Sequence, residues 1–291
     1  MARAAHGGRC SVGRMRFAFK TAPQHTNWAD MLAVWKAADD IETFESGWNF
    51  DHFYPIHSDS TGPCLEAWTN LAAFAQATKR LRMGSLVTGI HYRHPAVLAN
   101  MAASIDIISG GRLEIGIGAG WNEEESGAYG IELGTPKQRS DRFEEACEVI
   151  IGLLANETTT FAGHYYQLRD ARCNPKPVQR PHPPVCIGGN GEKRTLRTAA
   201  RFAQHWNFLG GTPEEFRRKR DVLWQHCEDL GRDPKEILLS SHVRHSGDPK
   251  QTAATAAALG EEGLGLAIVQ LLPPHRPDVL EPLATALAEV A

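Results

Sequence analysis

The chain has 291 residues, 42% of them hydrophobic and 22% charged, with a formal net charge of −3 at pH 7. That length is ordinary for an undivided α/β barrel and supplies ample material for a core. The balanced charge argues against nucleic acid or an anionic membrane as the main partner, and no stretch approaches the ~20 apolar residues of a membrane span.

Cys10, Cys64, Cys147, Cys173, Cys186 and Cys227 lie far apart and form no C-x-x-C pair, which predicts free thiols and a reducing, cytoplasmic setting. Residues 1–14, "MARAAHGGRCSVGR", have no apolar core of a secretory signal and read as a disordered extension. Residues 15–291 read as a single domain, with Met15 as the start of its first strand.

From there strands and helices alternate. "RFAFK" is strand one, and a helix follows with Trp28, Leu32 and Trp35 on one face, stopping near Gly47. "GWNFDHF" is strand two, residues 65–78 a helix, and "LRMGSLVTG" strand three. Val97, Met101, Ile105 and Ile108 recur at helical spacing before Gly110-Gly111. "RLEIGIG" is strand four, and Phe143, Cys147, Ile150 and Leu154 mark the next helix.

An insertion interrupts the rhythm between strands four and five. "TTTFAGHYYQL" reads as a hairpin around Gly163, followed by the proline-rich "NPKPVQRPHPP". "VCIGG" is strand five, with a helix from about Glu192. "HWNFLG", "ILLSSHV" and "LAIVQLL" are strands six to eight. Thr135-Pro136-Lys137-Gln138, Thr212-Pro213-Glu214-Glu215 and Asp248-Pro249-Lys250-Gln251 each set a capping residue before a proline, with Gln or Glu three residues on. Eight strand–helix units imply a (β/α)8 TIM barrel, with a doubly wound sheet as the alternative.

In a barrel the strand ends converge on one mouth. "GIGAGWNEEE" is then the loop leaving strand four, and its G-x-G-x-G spacing does not match the G-x-G-x-x-G of a dinucleotide turn. Gly188-Gly189-Asn190-Gly191 runs from strand five into a helix, a turn whose free amides suit a phosphate, although a plain strand–helix connection reads the same way. Asp51 and His52 end strand two. Strand neighbours point to opposite faces, so the two carry separate roles. His91 and His94 have a ligand-like spacing, but no acidic residue or cysteine joins them nearby, so no metal is expected. "NEEE" reads as a solvated helix start.

"FDHF", "GSLVTGIHYRHPAVLANMAASIDIISGGRLEIGIGAGWNEEE", "GHYY" and "PPVCIGGNGEK" resemble the bacterial luciferase-like flavin and deazaflavin oxidoreductases, in particular the branch using coenzyme F-420. The resemblance implies a luciferase-like TIM barrel with an insertion between strands 4 and 5. The cofactor ring would lie in the mouth, and its phosphate at the strand-five turn. Asp51 would contact the ring's polar edge, and His52 would be the catalytic residue near the hydride-transferring atom. Ser85-Leu86 would be a non-proline cis peptide backing the ring. Thr88 and Asn122 would hydrogen-bond the cofactor, with Gly118, Ala119 and Gly120 beside it, and Gly188, Gly189, Asn190 and Gly191 would cradle the phosphate. The sugar-phosphate dehydrogenases of this group carry a catalytic glutamate where this chain has Trp121, which points to a more apolar substrate. The expected activity is hydride transfer between F-420 and a small organic molecule, with an FMN-dependent monooxygenase as the alternative. A non-redox barrel lyase would need a lysine in the mouth, and Lys20 is the candidate; a small-ligand binding protein is a further alternative. Whether the protein forms a homodimer is left open.

Overall fold

A computed structural model describes residues 15–56 and 58–291; the expected N-terminal extension lies outside the described residues. One nine-stranded parallel sheet runs through it. In chain order the strands are β1 (Arg16–Thr21), β2 (Phe44–Asn49), β3 (Arg82–Ser85), β4 (Thr88–Gly89), β5 (Leu113–Gly118), β8 (Val185–Gly188), β9 (His205–Phe208), β10 (Leu238–Arg244) and β11 (Leu266–Leu271). Pairing runs β3-β2-β1-β11-β10-β9-β8-β5-β4, and β3 pairs with β5 as well, which closes the sheet. β3 and β4 are two halves of the third barrel position, so the strands form a closed eight-position (β/α)8 barrel. The small β6 (Thr159–Ala162) and β7 (Gln167–Ala171) pair antiparallel as the inserted hairpin.

Helices pack around the outside: α1 (Trp28–Asp39), α2 (Ala67–Ala77), α3 (Pro95–Ser109), α4 (Glu123–Ala128), α5 (Pro136–Ala155), α6 (Thr195–Phe202), α7 (Pro213–Asp229), α8 (Pro249–Glu261) and α9 (Leu280–Ala288). Thr135 and Thr212 close full capping boxes on α5 and α7, while Asp248 caps α8 by accepting from the amides of Lys250 and Gln251. β5 is covered on both faces and buried at every position, so its residues are apolar or glycine except Glu114, which is paired.

Two helix faces differ from the expected ones. α1 buries Met31, Val34, Trp35 and Ala38, with Leu32 at its edge. α3 buries Leu98, Ala99, Ala102 and Ile105 and leaves Val97 and Ile108 in solvent. Small alanines let α3 sit close to the sheet, so the larger periodic residues are not the buried ones. α6 begins at Thr195, three residues later than expected, because residues 192–194 form a turn.

The core has two parts. A large cluster lies between sheet and helices, with Trp35 stacked on Phe74 at 4.0 Å. A small one fills the barrel: Ala18, Trp48, Leu86, Cys186, Leu266 and Ile268. Beside it lies a polar layer in which His205 bridges Glu114 at 3.0 Å and the Ser240 hydroxyl at 2.6 Å. Burial opposes the charge on Glu114, but hydrogen bonds and charge from His205 and Arg82 outweigh it and bring the carboxyl down to about 2. The barrel is plugged, and the functional space lies above the plug.

Candidate active site

The C-terminal ends of the barrel strands enclose a cavity of about 550 Å³. Its walls come close because they lack side chains: a Cβ on Gly118 or on Gly188 would meet a Val87 methyl at 2.8 Å. The Leu86–Val87 peptide bond beside them is cis. The expected position, Ser85–Leu86, is therefore one residue too early. The Leu86 amide still bonds the Asn49 carbonyl at 2.9 Å, so the strand geometry of β3 carries on through Leu86 before the chain departs from it.

β2 ends at Asn49, so Asp51 and His52 stand just beyond the strand, and both line the cavity. Asp51 is fully buried and receives both Arg93 nitrogens, at 2.5 and 3.2 Å; Arg93 also binds Glu66. Burial pushes the Asp51 carboxyl up, against the pull of Arg93. His52 goes elsewhere. Its Nδ1 lies 2.7 Å from Glu125 Oε2, the Phe53 amide donates to Glu125 Oε1, and the Tyr92 hydroxyl donates to Glu125 Oε2. Burial opposes the charge on Glu125, but these hydrogen bonds outweigh it and hold its carboxyl below the usual range. A carboxylate only accepts, so Nδ1 of His52 carries the proton, and Nε2 is the nitrogen left for a ligand.

Glu125 overturns the reading of "NEEE" as solvated. Glu123 and Glu124 are exposed, but Glu125 is fully buried. The cause is the cap: Asn122 Oδ1 accepts from the Glu125 amide at 3.1 Å, which starts α4 and turns its third residue inward. Asn122 is thereby occupied as a helix cap and does not line the cavity. Thr88 is buried behind the site, where its Oγ1 accepts from Trp68 Nε1 at 2.8 Å. Ser85 is buried with its Oγ unpartnered and also lies outside the cavity wall.

Of the expected residues the structure thus brings Asp51, His52, Leu86, Gly118, Ala119, Gly120, Gly188 and Gly189 to one cavity, while Ser85, Thr88, Asn122, Asn190 and Gly191 stand outside its lining. Asn190 Oδ1 instead accepts from the Leu209 amide, tying two strand-end loops together. His91 lines the cavity and burial pushes its imidazole down to about 4, whereas His94 caps α3 by accepting from the Ala96 amide. The two diverge, and among the described residues no group of three or more His, Cys, Asp or Glu is placed to hold a metal ion.

The strand-five turn fits a phosphate, one step further along than expected. The Gly189 amide is used by the Asn207 carbonyl at 3.2 Å, but the amides of residues 190–195 have no backbone acceptor among the described residues. Gly189 has φ +136°, and Thr195 lines the cavity beside it. A run of open amides with a hydroxyl at a helix start is an anion cradle.

Sequence reasoning placed Lys20 here but missed Arg93, Tyr92 and Glu125 as a working group, and His242 and Gln270 altogether. Lys20 is almost wholly buried, donates to the Leu86 carbonyl at 2.9 Å, and is pushed by burial from its usual 10.5 to about 7. The folded state sheds this proton first, so between about pH 7 and 10.5 the unfolded chain binds more protons and stability rises with pH. Lys20→Met should flatten that rise in denaturant titrations across the window; an unchanged slope would show that Lys20 keeps its ordinary affinity for a proton.

The profile of the luciferase-like monooxygenase family matches residues 15–285. An F-420-dependent glucose-6-phosphate dehydrogenase of Microbacterium testaceum is 27% identical over 94% of this chain and 80% of its own length. A pyrimidine monooxygenase of Allorhizobium ampelinum is 32% identical over 56% of this chain and 42% of its own. Against several further curated relatives the matched region also spans about half of their length. Among solved structures, an F-420-dependent secondary alcohol dehydrogenase in complex with an F-420–acetone adduct superposes with TM-score 0.82 at 20% identity, over 96% of this chain and 98% of that one.

Proposed function

The chain belongs to the luciferase-like monooxygenase family, and from that premise we propose that it is a coenzyme F-420-dependent oxidoreductase acting on a small organic substrate. The observation that carries this reading is the pairing, across one cavity, of an anion cradle with a buried His52–Glu125 dyad. The F-420-dependent relative aligned over 94% of the chain supports the choice of cofactor. When bound, the deazaflavin would supply the hydride donor or acceptor.

The chain's own residues do the rest. Thr195, which lines the cavity beside Gly189 at the start of α6, would hold the phosphate with its open amide and its hydroxyl. Gly118 and Gly188 let Val87 pack close against β5 and β8, and Leu86 and Val87 would back a planar ring lying in the cavity slot above them. Asp51, fixed by Arg93, presents a polar edge to that slot. His52 gives a proton to the substrate oxygen or takes one from it at Nε2, while Glu125 holds the other nitrogen and stabilises the charged imidazole. Trp121, 60% exposed at the rim and 5.7 Å from the His52 ring, favours an apolar group next to the reacting carbon.

The reading expects F-420 to bind with a micromolar dissociation constant or tighter, and FMN at least tenfold more weakly, about 1.4 kcal/mol. Thr195→Val, which keeps the shape and removes the hydroxyl, should weaken F-420 by roughly threefold to tenfold, as for one lost hydrogen bond. The pyrimidine monooxygenase relative is the ground for the second reading. Tighter binding of FMN, with oxygen uptake that depends on reduced flavin, would establish an FMN-dependent monooxygenase instead.

A further inference from the structure

The cavity wall formed by β1, β11 and β10 is built from donors that no acidic residue answers. Lys20, Gln270 and Arg244 stand in one register row across β1, β11 and β10. His242 lies two residues before Arg244 on β10. Strand neighbours in register lie ~4.8 Å apart and residues two apart share a face, so these heads line one wall. Lys20, Gln270 and His242 line the main cavity, and a side cavity of about 360 Å³ shares Gln270 and His242 and runs out past Arg244.

Among the described residues, the Lys20 ammonium donates only to the Leu86 carbonyl and lies 5.8 Å from the centre of the Phe50 ring, the side chains of Gln270 and Arg244 have no hydrogen-bond partner, and His242 Nε2 is buried without a hydrogen bond. Three other cations near the mouth are answered: Arg93 by Asp51 and Glu66, Arg194 by Asp141 and Glu144, Lys219 by Glu192. For His242 Nε2 the lack of a partner is unfavourable unless a ligand supplies one, while Arg244 stands exposed at the outer end of the row, where an anion can reach it.

We propose that Lys20, Gln270 and Arg244, with His242 beneath them, form the subsite for a carboxylate of the substrate. The substrate is then an organic acid, its apolar part near Trp121 and His52 and its carboxylate on the donor wall. Arg and Lys together suit a carboxylate, the guanidinium by two parallel hydrogen bonds and the ammonium as a compact charge. This names the substrate class of the redox reaction proposed above and rests on that reading. The same chemistry could also be met by carboxylates of the cofactor's own tail, and the test separates the two.

The full chain, with and without bound F-420, is titrated with hexanoate and with hexanamide. Binding is followed by the fluorescence of the tryptophans, Trp121 among them, and by the absorbance of the cofactor. Hexanoate is expected to bind at least tenfold more tightly than hexanamide. Arg244→Ala and Lys20→Met should each erase that preference while changing the F-420 dissociation constant less than threefold. Equal binding of acid and amide, or a preference untouched in both variants, overturns the proposal. So does a tenfold loss of F-420 affinity in the variants without any hexanoate preference, which would give the wall to the cofactor's tail. If neither F-420 nor FMN binds, yet the cofactor-free chain prefers hexanoate and the variants lose the preference, the subsite stands and the redox reading fails. Arg244 is exposed, so its variant decides the matter should Lys20→Met not fold.

Discussion

His52→Ala is expected to lower turnover by a factor of ~10²–10⁴, the usual contribution of a positioned acid or base, with the cofactor dissociation constant changed less than threefold. Glu125→Gln should lose less, on the order of 10–10², because an amide in that place offers one acceptor oxygen to three donors and leaves a buried group unmatched. The donors are His52 Nδ1, the Phe53 amide and the Tyr92 hydroxyl. If Glu125 acts through His52, the double variant should be no slower than His52→Ala alone, since residues acting as a unit are not additive. Additive losses would mean that Glu125 merely supports the loop. Full turnover in His52→Ala would remove the end of β2 from the chemistry.

Gly116→Ala should be the most damaging small change in the chain. A Cβ at Gly116 would lie 1.7 Å from the Ser85 carbonyl oxygen, a backbone atom with no side-chain freedom to yield. β3 and β5 would have to part where they close the barrel, and the loss should reach about 4 kcal/mol or more. For a domain of this size that is a fall on the order of 10 °C in Tm. Gly127→Ala is the matched control: it sits in α4 with nothing within 4 Å of the added carbon, and should be neutral or gain about 0.4–1 kcal/mol. A Gly116→Ala protein as stable as the control would mean that the two strands are not held so close.

The barrel was readable before the structure because its signals are local. Thr135 and Thr212 announce helix starts by their own neighbours, and strands buried on both faces show as continuous apolar runs. The alanine-rich face of α3 was not readable in that way, since alanine contributes little to apolar periodicity while allowing close approach to the sheet. In the site, the glycines and the Asp51–His52 pair stood out as residue types. Glu125 did not, because three consecutive glutamates look alike until a cap fixes which one turns inward. Arg93 and His242 were hidden for another reason. Their significance lies in what faces them across the barrel, and Lys20, Gln270 and Arg244 become one row only once the register of β1, β11 and β10 is known.

The plug of Trp48, Ile268 and their neighbours bears on kinetics as well as on stability. With the barrel filled below, a ligand reaches Leu86 and Val87 only from above, through a mouth rimmed in part by Trp121 and Leu209, both of which stand in solvent. Two ligands stacked one above the other over such a plug cannot come and go independently. Whichever lies against Leu86 and Val87 has to enter first and leave last, so the steady-state pattern should be that of compulsory-order addition, with the second ligand trapping the first.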